Sequence, residues 1–421
     1  MQSQNLSLEL KNIKPNSDRR LMLFDLSIYG HHPSYIQHFI KYWSQQEPLN
    51  NLDIVVSPKF IQEHTDVVKL AKEIHPNINF FAITPEEEAN LKPRTSGVNR
   101  KIRSLQEWNL YIKYAEALQV TQALLMYFDT CQLPLALGWK SPCWFSGIYF
   151  RPTFHYSEFN NYTSSWKNWV QQRQEKLILK QVLRHPKLKT LFCLDPFAVK
   201  QINRFDATKA IYLPDPVVIH SSKDQFQVES LKRKLGIEPN RKVFLLFGAL
   251  NGRKGIYQLL ESIQLLPSTG CEQICLLFVG EANPTDKALI QSQVAATRQS
   301  HPVQIIEHYE FVAESEIPTY FQIADVVLAP YQRHVGMSGI LLLAAAAAKP
   351  VLSSNYGLMG EIVRNYRLGI TVDSSTPAAI AKGLEQCLAA NPKELSDRNQ
   401  MQLFAEQNSA EKFANLLFQH A

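Results

Sequence analysis

Two glycine-rich segments in the second half of the chain combine cationic side chains with accessible backbone, a pattern that suits phosphate binding. The first spans residues 248–255, GALNGRKG, between an apolar run and a helical pattern. Its glycines let the backbone approach an anion closely, and Arg253 and Lys254 supply positive charge. A flexible loop with solvated charges is the structural alternative. We favour the first interpretation, which predicts that Gly248, Arg253 and Lys254 hold a diphosphate.

The second segment spans residues 331–339, YQRHVGMSG, and precedes an apolar helical run. The backbone N–H groups of Gly336, Ser338 and Gly339 are expected at the start of that helix, where the helix dipole favours an anion. Arg333 adds a cation upstream. The alternative role for Ser338 is to cap the helix with its hydroxyl group. Glycines on both sides of the serine favour a ligand-binding loop over a cap alone.

Glu361 is a third candidate, because it follows a strand pattern at 351–353 and comes near the start of the next helical pattern. A carboxylate at that position is a favourable partner of the helix dipole. It is also placed to accept hydrogen bonds from ribose or sugar hydroxyl groups beside the two glycine-rich loops. The sequence leaves both interpretations open.

The first half of the chain offers Gly30, His31 and His32 after its first apolar run. The amide of Gly30, at a strand-to-helix turn, suits contact with a phosphate across an interdomain cleft. Histidine titrates near neutral pH, so His31 and His32 are candidates for acid–base chemistry or acceptor binding. A lone histidine is usually structural, and two adjacent ones at a strand end favour a functional role.

Apolar runs that alternate with helical patterns position these segments. Runs that are apolar throughout predict the strands of a parallel sheet covered by helices on both faces. The predicted strands form two series: 21–26, 52–56, 78–83, 124–128, 190–194 and 210–213, then 241–248, 274–280, 303–306, 325–329, 350–353 and 369–372. Ligands bind beyond the carboxyl ends of such strands, and each candidate lies at such an end.

The break between the two series predicts two domains, for which the 421 residues suffice. We place the boundary near 220–240, with a first domain over 1–220 and a second over 241–393. Of the sixteen glycines, twelve lie from Gly236 onward, in the half of the chain that holds the second domain. Because glycine is needed where backbone approaches a ligand, the second domain is the better candidate for binding a nucleotide.

The composition excludes several classes of protein. The net charge of +6 suits phosphorylated ligands or an anionic membrane surface but does not by itself indicate nucleic-acid binding. The six cysteines lack metal-binding or redox spacing and predict buried, reduced thiols. Neither a signal-peptide pattern nor an apolar run of ~18 residues is present. We therefore expect a soluble, cytoplasmic protein.

Residues 166–189 carry seven Lys or Arg side chains against one acid, Glu175. Four apolar residues share a roughly helical spacing there: Trp166, Trp169, Val170 and Leu177. We favour a surface helix whose apolar residues face the core. The alternative is an amphipathic helix in peripheral contact with the inner face of a membrane.

Taken in order, these segments resemble the retaining GT-B glycosyltransferases of the family-4 type, which carry the "glycosyl transferases group 1" domain. The similarity is clearest over 243–372 and rests on five stretches: 247–255, 277–281, 320–330, 344–352 and 357–363. The third is similar to the strand before the family's sugar-binding loop, and the fourth to its alanine-rich helix and following turn. The first half matches only in pattern, at the Gly30 loop and at 213–215.

The resemblance implies two Rossmann-like domains that face each other across a cleft, with a nucleotide diphosphate-sugar held mainly by the second. It implies transfer of a hexose to a saccharide or glycolipid acceptor, as in polysaccharide biosynthesis, with retention and without a metal or other cofactor. A helix over 394–421 is expected to pack back on the first domain. Asp129 and Arg151 fall roughly where the family contacts acceptor and sugar. With His31 they complete the catalytic candidates, and a structural salt bridge is the alternative for Asp129 and for Arg151.

Two departures from the family pattern keep other functions open. The family usually carries two glutamates eight positions apart, where this chain has Val335 and Leu343, which cannot ionise. An arginine often follows the first glycine of its phosphate loop, where this chain has Ala249. A protein that binds a nucleotide sugar or a partner without catalysis is one alternative, and a nucleotide-sugar epimerase is another. The nucleotide, the sugar, the acceptor and the oligomeric state also stay open.

Overall fold

The chain folds into two α/β units, each built on its own parallel sheet. The computed structural model describes residues 20–28, 30–46, 51–159, 162, 165–205, 209–217 and 225–420. The first unit holds the described residues up to His155, those within Ser164–Pro216, and those from Ala410 on. The second holds those within Tyr156–Thr163 and Val217–Ser409. The two parallel-sheet domains predicted from the sequence are confirmed.

Within the described ranges, the first sheet has seven parallel strands in the order β3-β2-β1-β4-β5-β6-β7. The strands are β1 Arg20–Asp25, β2 Asn51–Val56, β3 Ile78–Ala82, β4 Gln122–Leu125, β5 Trp144–Tyr149, β6 Leu188–Cys193 and β7 Ala210–Tyr212. The helices are α1 His32–Gln46, α2 Pro58–Glu63, α3 Thr65–Ile74, α4 Pro85–Asn90, α5 Gly97–Ala117, α6 Gln132–Ala136, α7 Trp166–Leu183 and α8 Pro196–Ile202.

The second sheet has six parallel strands in the order β10-β9-β8-β11-β12-β13. They are β8 Lys242–Phe247, β9 Ile274–Val279, β10 Gln304–His308, β11 Val326–Ala329, β12 Val351–Ser354 and β13 Gly369–Val372. The helices are α9 Gln225–Leu235, α10 Ile256–Ile263, α11 Ser268–Cys271, α12 Pro284–Ser300, α13 Ile317–Ile323, α14 Gly339–Ala346, α15 Gly357–Asn365, α16 Pro377–Ala389, α17 Pro392–Leu395 and α18 Arg398–Gln407. A last helix, α19 Ala410–His420, belongs to the first unit.

Both faces of the first sheet are buried, which explains why its strands are apolar throughout. In β1, Met22 and Phe24 join one hydrophobic cluster, with Trp108 of α5. Leu21 and Leu23, which point to the opposite face, join another. All six cysteines are buried and none forms a disulfide. None of the helices in the described ranges has the length and apolar composition needed to cross a membrane.

Strand β5 is the main element that the strand prediction left unassigned. The strand predicted at 124–128 is displaced toward the C-terminus, because β4 spans Gln122–Leu125 and Phe128 begins a 3-10 turn. The Phe128 ring packs on β5, where a Cβ atom on Gly147 would lie 2.3 Å from it. Glycine makes room for this ring, and glycine also weakens the sequence signal of a strand.

The helix predicted over 394–421 is wrong as one continuous element. Asp397 caps α18 by accepting hydrogen bonds from the amides of Asn399 and Gln400. Between α18 and α19, the carbonyl oxygen of Asn408 accepts a hydrogen bond from the amide of Val217 at 2.8 Å. The chain therefore passes from the second unit to the first at this point, and only α19 packs on the first unit.

Two other expectations differ from the structure. Helix α9 lies inside the boundary predicted near 220–240 and belongs to the second unit, while residues 220–224 of that boundary lie outside the described ranges. In α7, the apolar residues expected to face the core are exposed instead: Trp166 by 73%, Trp169 by 51% and Leu177 by 67%. The core contacts of this helix come from Gln172, Leu179, Val182 and Leu183.

Candidate functional site

Most of the predicted site residues follow strands that lie next to the points where the strand order of each sheet reverses. In the first sheet β1 lies between β2 and β4, and in the second β8 lies between β9 and β11. Connections that leave two such strands run to opposite faces of the sheet, which leaves a crevice for a ligand beyond their carboxyl ends. The glycine-rich segment 248–255 follows β8, and the segment 331–339 follows β11.

Glycines bring these two segments of the second unit into contact. Gly248 and Gly255 have φ angles of +98° and +77°, which side chains other than glycine rarely adopt. A Cβ atom on Gly255 would lie 2.0 Å from the carbonyl oxygen of Pro330, at the end of β11. The amide of Gln332 also donates to the carbonyl oxygen of Arg253 at 2.9 Å. The two loops that the sequence identified separately therefore form one surface.

Lys254 lies at the base of this surface and is only 7% exposed. Its Nζ donates to the carbonyl oxygen of Phe247 at 2.7 Å and to the hydroxyl of Tyr331. A Cβ atom on Gly248 would come within 3.0 Å of Nζ, so the glycine turn lies directly beside the ammonium group. Because a cation removed from water attracts an anion more strongly, this arrangement suits the binding of a phosphate.

Tyr331, which the sequence reasoning did not single out, connects the loops of this site. Its ring is 2% exposed and lies 4.5 Å from Nζ of Lys254. Its hydroxyl accepts a hydrogen bond from Ser338 Oγ at 3.2 Å, and its carbonyl oxygen accepts one from Ser374 Oγ at 2.9 Å. The signal available was an aromatic residue directly after the end of β11, but only the fold shows what it contacts.

The candidate cations Arg253 and Arg333 both have exposed side chains. Arg253 Nη1 lies 3.2 Å from Nδ1 of His334. Arg333 has a φ angle of +46°, uncommon for a residue other than glycine. Such strain is often found at ligand-binding sites, where the surrounding structure maintains it.

Ser338 does not take the cap role that was the alternative to a ligand-binding loop. Ser338 precedes α14, which begins at Gly339, but its side chain makes no capping hydrogen bond. Its hydroxyl group is directed to Tyr331 instead. Since the first amides of a helix have no partner within the helix, those of α14 keep the potential to bind an anion beside Gly336 and Gly339.

Glu361 is the fifth residue of α15 and not part of its first turn, so its interpretation as a partner of the helix dipole is wrong. Its Oε1 accepts a hydrogen bond from Nη2 of Arg364 at 2.5 Å, and its side chain is 17% exposed. The second oxygen atom leaves the carboxylate able to accept from a ligand hydroxyl group.

The histidines after β1 have different surroundings. Gly30 has a φ angle of +73° and turns the chain toward α1, and His31 is exposed beside Tyr35. His32 Nδ1 lies 2.6 Å from Oδ2 of the buried Asp25. A carboxylate in this position orients an imidazole ring. The structure therefore adds Asp25 to the candidates for acid–base chemistry, as a partner of His32.

Asp129 shapes the end of β5 rather than forming a salt bridge with the Arg151 side chain. Its oxygens accept hydrogen bonds from the amide of Phe150 at 2.9 Å and from that of Arg151 at 3.1 Å. Burial raises the pKa of Asp129 to about 6, although both amides favour its charged form. Arg151 is held in place by its backbone, and its side chain is exposed.

Gly30, His31 and Arg151 line one cavity of the first unit, of about 770 Å³. Its walls come from the segments after β1, β2, β3, β4 and β5, and from α5. Asp129 is not among its lining residues. The structure thus separates the three predicted catalytic residues into two that face a cavity and one that supports its wall.

Residues 227–407 match the family described as Glycosyl transferases group 1. Among curated proteins, the chain is 24% identical over 189 residues to a putative glycosyltransferase, YtcC, of Bacillus subtilis, covering 43% of this chain and 46% of that protein. It is 26% identical over 188 residues to a D-inositol 3-phosphate glycosyltransferase of Corynebacterium diphtheriae, covering 44% and 42%. The matches therefore span less than half of each relative.

Solved structures match over nearly the whole chain at low sequence identity. HepE of Anabaena, in complex with UDP, has 12% identity and a TM-score of 0.66, covering 96% of this chain and 99% of that one. Sucrose-phosphate synthase of Thermosynechococcus elongatus has 14% identity and a TM-score of 0.66, covering 96% and 98%. The fold is GT-B. Every candidate residue in the second unit of this GT-B chain lies inside the family match.

Proposed function

We propose that the protein is a retaining glycosyltransferase that moves a hexose from a nucleotide diphosphate-sugar to a saccharide or glycolipid acceptor. The observation that carries the proposal is the contact of Lys254, Tyr331 and Ser338 at the point where the strand order of the second sheet reverses. It lies inside the family match and combines a buried cation, a glycine turn and a helix start. Such preorganised groups stabilise the charge that develops on a departing diphosphate.

The absence of the family's glutamate pair does not remove this capacity. Val335 and Leu343 occupy those positions. The donor sugar is then oriented by the amides around Gly336 and Gly339, by Arg333 and by Glu361. We also propose that the reaction requires no metal ion, because the amides and cations named here supply the positive potential at the leaving group.

Donor screening and product analysis test the proposal together. Calorimetry with UDP-, GDP- and ADP-sugars is expected to find at least one ligand, and that ligand raises the melting temperature. The same donor is then offered acceptor panels, with and without EDTA, and nuclear magnetic resonance reads the anomer of the product. Donor binding without transfer or hydrolysis favours the binding-only alternative. An epimerised nucleotide sugar favours an epimerase.

We further propose that α7 places the first unit against an anionic membrane surface. At about 100° per residue, Trp166, Trp169, Arg173, Leu177 and Lys180 share one face of this helix. That face is exposed and separate from the buried face of the same helix, which holds Gln172, Leu179, Val182 and Leu183. Glu175, the one acid of α7, points to the protein and accepts hydrogen bonds from Thr153. An exposed strip of aromatic, aliphatic and cationic side chains fits the interface of an anionic bilayer.

Vesicle sedimentation tests this contact. The protein is expected to bind vesicles that contain phosphatidylglycerol, to bind pure phosphatidylcholine vesicles less, and to dissociate at high salt. Trp169→Ser with Leu177→Ser is expected to abolish binding, whereas Leu137→Ser, at another exposed leucine of the same unit, is the matched control. Equal behaviour of the two variants would contradict the proposal.

A further inference from the structure

The cavity of the first unit has a cationic lining that the proposed transfer reaction does not explain. Four Lys or Arg side chains line it, Lys59, Arg94, Arg103 and Arg151, and in the part of the chain that the structure describes Glu88 is its one carboxylate. A neutral sugar hydroxyl group needs no such charge, since it is bound by neutral donors and acceptors. A concave site lined by one sign of charge attracts a ligand of the opposite sign.

Arg94 and Arg103 are held together by a shared buried carboxylate. Glu107, whose side chain is 5% exposed, accepts from Arg103 Nε at 2.6 Å and from Arg94 Nη2 at 3.0 Å with the same oxygen, Oε1. Arg103 Nη1 also donates to the carbonyl oxygen of Lys92 at 3.1 Å. The Arg94 guanidinium lies 5.5 Å from the centre of the Tyr127 ring. These contacts order two guanidinium groups at the cavity wall before any ligand binds.

The balance of charge leaves this wall positive. Glu107 neutralises one of the two guanidinium groups that it holds, while Lys59, on a different wall, has an exposed side chain. Planar guanidinium groups bind phosphate and carboxylate oxygens through paired, charge-assisted hydrogen bonds. His31 and Arg151 line the same cavity, so a molecule bound there reaches the segments after β1 and β5.

We propose that the acceptor is anionic and that Arg94, Arg103 and Lys59 bind its phosphate or carboxylate group. This inference rests on the proposed transferase function, because it names the class of acceptor for that reaction. The charged group binds near α5 and α2, and the sugar hydroxyl that receives the transferred hexose lies toward His31 and His32.

Direct binding and transfer measurements test the proposal with four probes: inorganic phosphate, glucose 6-phosphate, glucuronate and glucose. Phosphate and at least one charged sugar are expected to bind, and glucose to bind at least about tenfold more weakly, since charge-assisted bonds are lost. Which charged sugar binds distinguishes phosphate from carboxylate as the source of the anion. The charged probe that binds is then expected to accept the hexose with a KM at least about tenfold below that of glucose.

The variants are chosen to separate ligand binding from folding. Lys59→Gln changes an exposed residue, and Arg94→Gln removes a cation while Glu107 keeps Arg103 as its partner. Each is expected to weaken binding of the charged probe about tenfold or more. Arg100→Gln is the matched control, because Arg100 is exposed on the same helix and does not line the cavity.

The proposal would be overturned if glucose bound as tightly as the charged probes. It would also be overturned if Arg100→Gln weakened binding as much as the cavity variants do. The third contrary result is a set of cavity variants that weaken binding of UDP and leave binding of the charged probe unchanged. A parallel UDP titration keeps this separate from the transferase function. Binding of UDP without binding of any anionic probe refutes only the anionic acceptor. Binding of phosphate in the cavity without binding or turnover of any nucleotide sugar refutes the transferase function.

Discussion

At the scale of single residues, Tyr331 and Lys254 define the candidate donor site. The ammonium group of Lys254 is buried and shared between a carbonyl oxygen and the Tyr331 hydroxyl, so the candidate phosphate-binding group is also a structural group. Replacing it therefore affects folding as well as affinity, and an informative test must separate the two effects.

Lys254→Met keeps most of the buried stem and removes the charge. It is expected to weaken nucleotide diphosphate binding by more than ~1.5 kcal/mol, because a charge-assisted bond to phosphate is lost. Tyr331→Phe keeps the ring and the charge of Lys254, so a smaller loss is expected. Calorimetry measures both, with the exposed Lys382→Met as control. Unchanged affinity in folded Lys254→Met would mean that the phosphates bind elsewhere.

Asp129 makes a prediction about pH. Burial raises its pKa from 3.8 to about 6, so between these values the folded state binds more protons than the unfolded state. The free energy of unfolding contributed by this group is therefore full below pH 4 and is lost as the pH rises through 6. Asp129→Asn lacks this titration. In urea unfolding, the stability of the wild type relative to this variant is expected to fall from pH 4 to 6 and then level off; a constant difference would refute the shift.

At the scale of elements, the candidate donor site of the second unit depends on a close approach between the loops after β8 and β9. Only glycine allows this approach, because it has no Cβ atom. Gly280, which follows β9, has a φ angle of +131°, and a Cβ atom there would lie 2.5 Å from the carbonyl oxygen of Gly248. The loop after β9 therefore sets the position of the loop after β8. Neither loop can move without displacing the other.

Gly280→Ala is expected to destabilise the protein by about 1–3 kcal/mol, through overpacking and an unfavourable φ angle. It is also expected to weaken nucleotide binding, because the Gly248 turn is displaced. Gly270→Ala is the control, since its nearest neighbour would be 3.7 Å away and its φ angle is ordinary. Thermal unfolding and calorimetry compare the variants, and equal effects of the two alanines would show that the contact with Gly248 is unimportant.

At the scale of the whole molecule, the C-terminal helix α19 returns the chain to the first unit. The ring centre of Phe413 lies 4.9 Å from that of Tyr35, and that of Phe418 lies 4.8 Å from that of Phe39. Thr190 Oγ1 donates to the carbonyl oxygen of His420 at 2.8 Å. Helix α19 therefore completes the hydrophobic core of the first unit.

Ending the chain at residue 409 is expected to expose the apolar face of α1. Hydrogen exchange should then speed up in α1 and β1 and stay unchanged in β8 and β9. As a point variant, Phe413→Ala is expected to cost about 3–5 kcal/mol, whereas the exposed Gln419→Ala should stay within about 0.5 kcal/mol. Uniform exchange across both units in the truncated protein would contradict this local role.

The sequence by itself determined the types of most elements and the position of the donor loops. Strand runs and helical spacing are local patterns, because the side-chain period is set by the backbone of each element. The glycine-rich loops were also readable, since a left-handed φ angle at Gly248 or Gly255 is a property of one residue. The two-sheet architecture followed from the order of these elements.

Only the tertiary structure decided what the individual side chains do. Lys254 and Tyr331 are 77 residues apart, and the partners of Asp129 are 21 and 22 residues away. The face that α7 turns to the core, and the break before α19, depend equally on what the rest of the chain places beside them. Hydrogen bonds, burial and pKa shifts arise from neighbours in space, and sequence periodicity carries no information about neighbours that are distant along the chain.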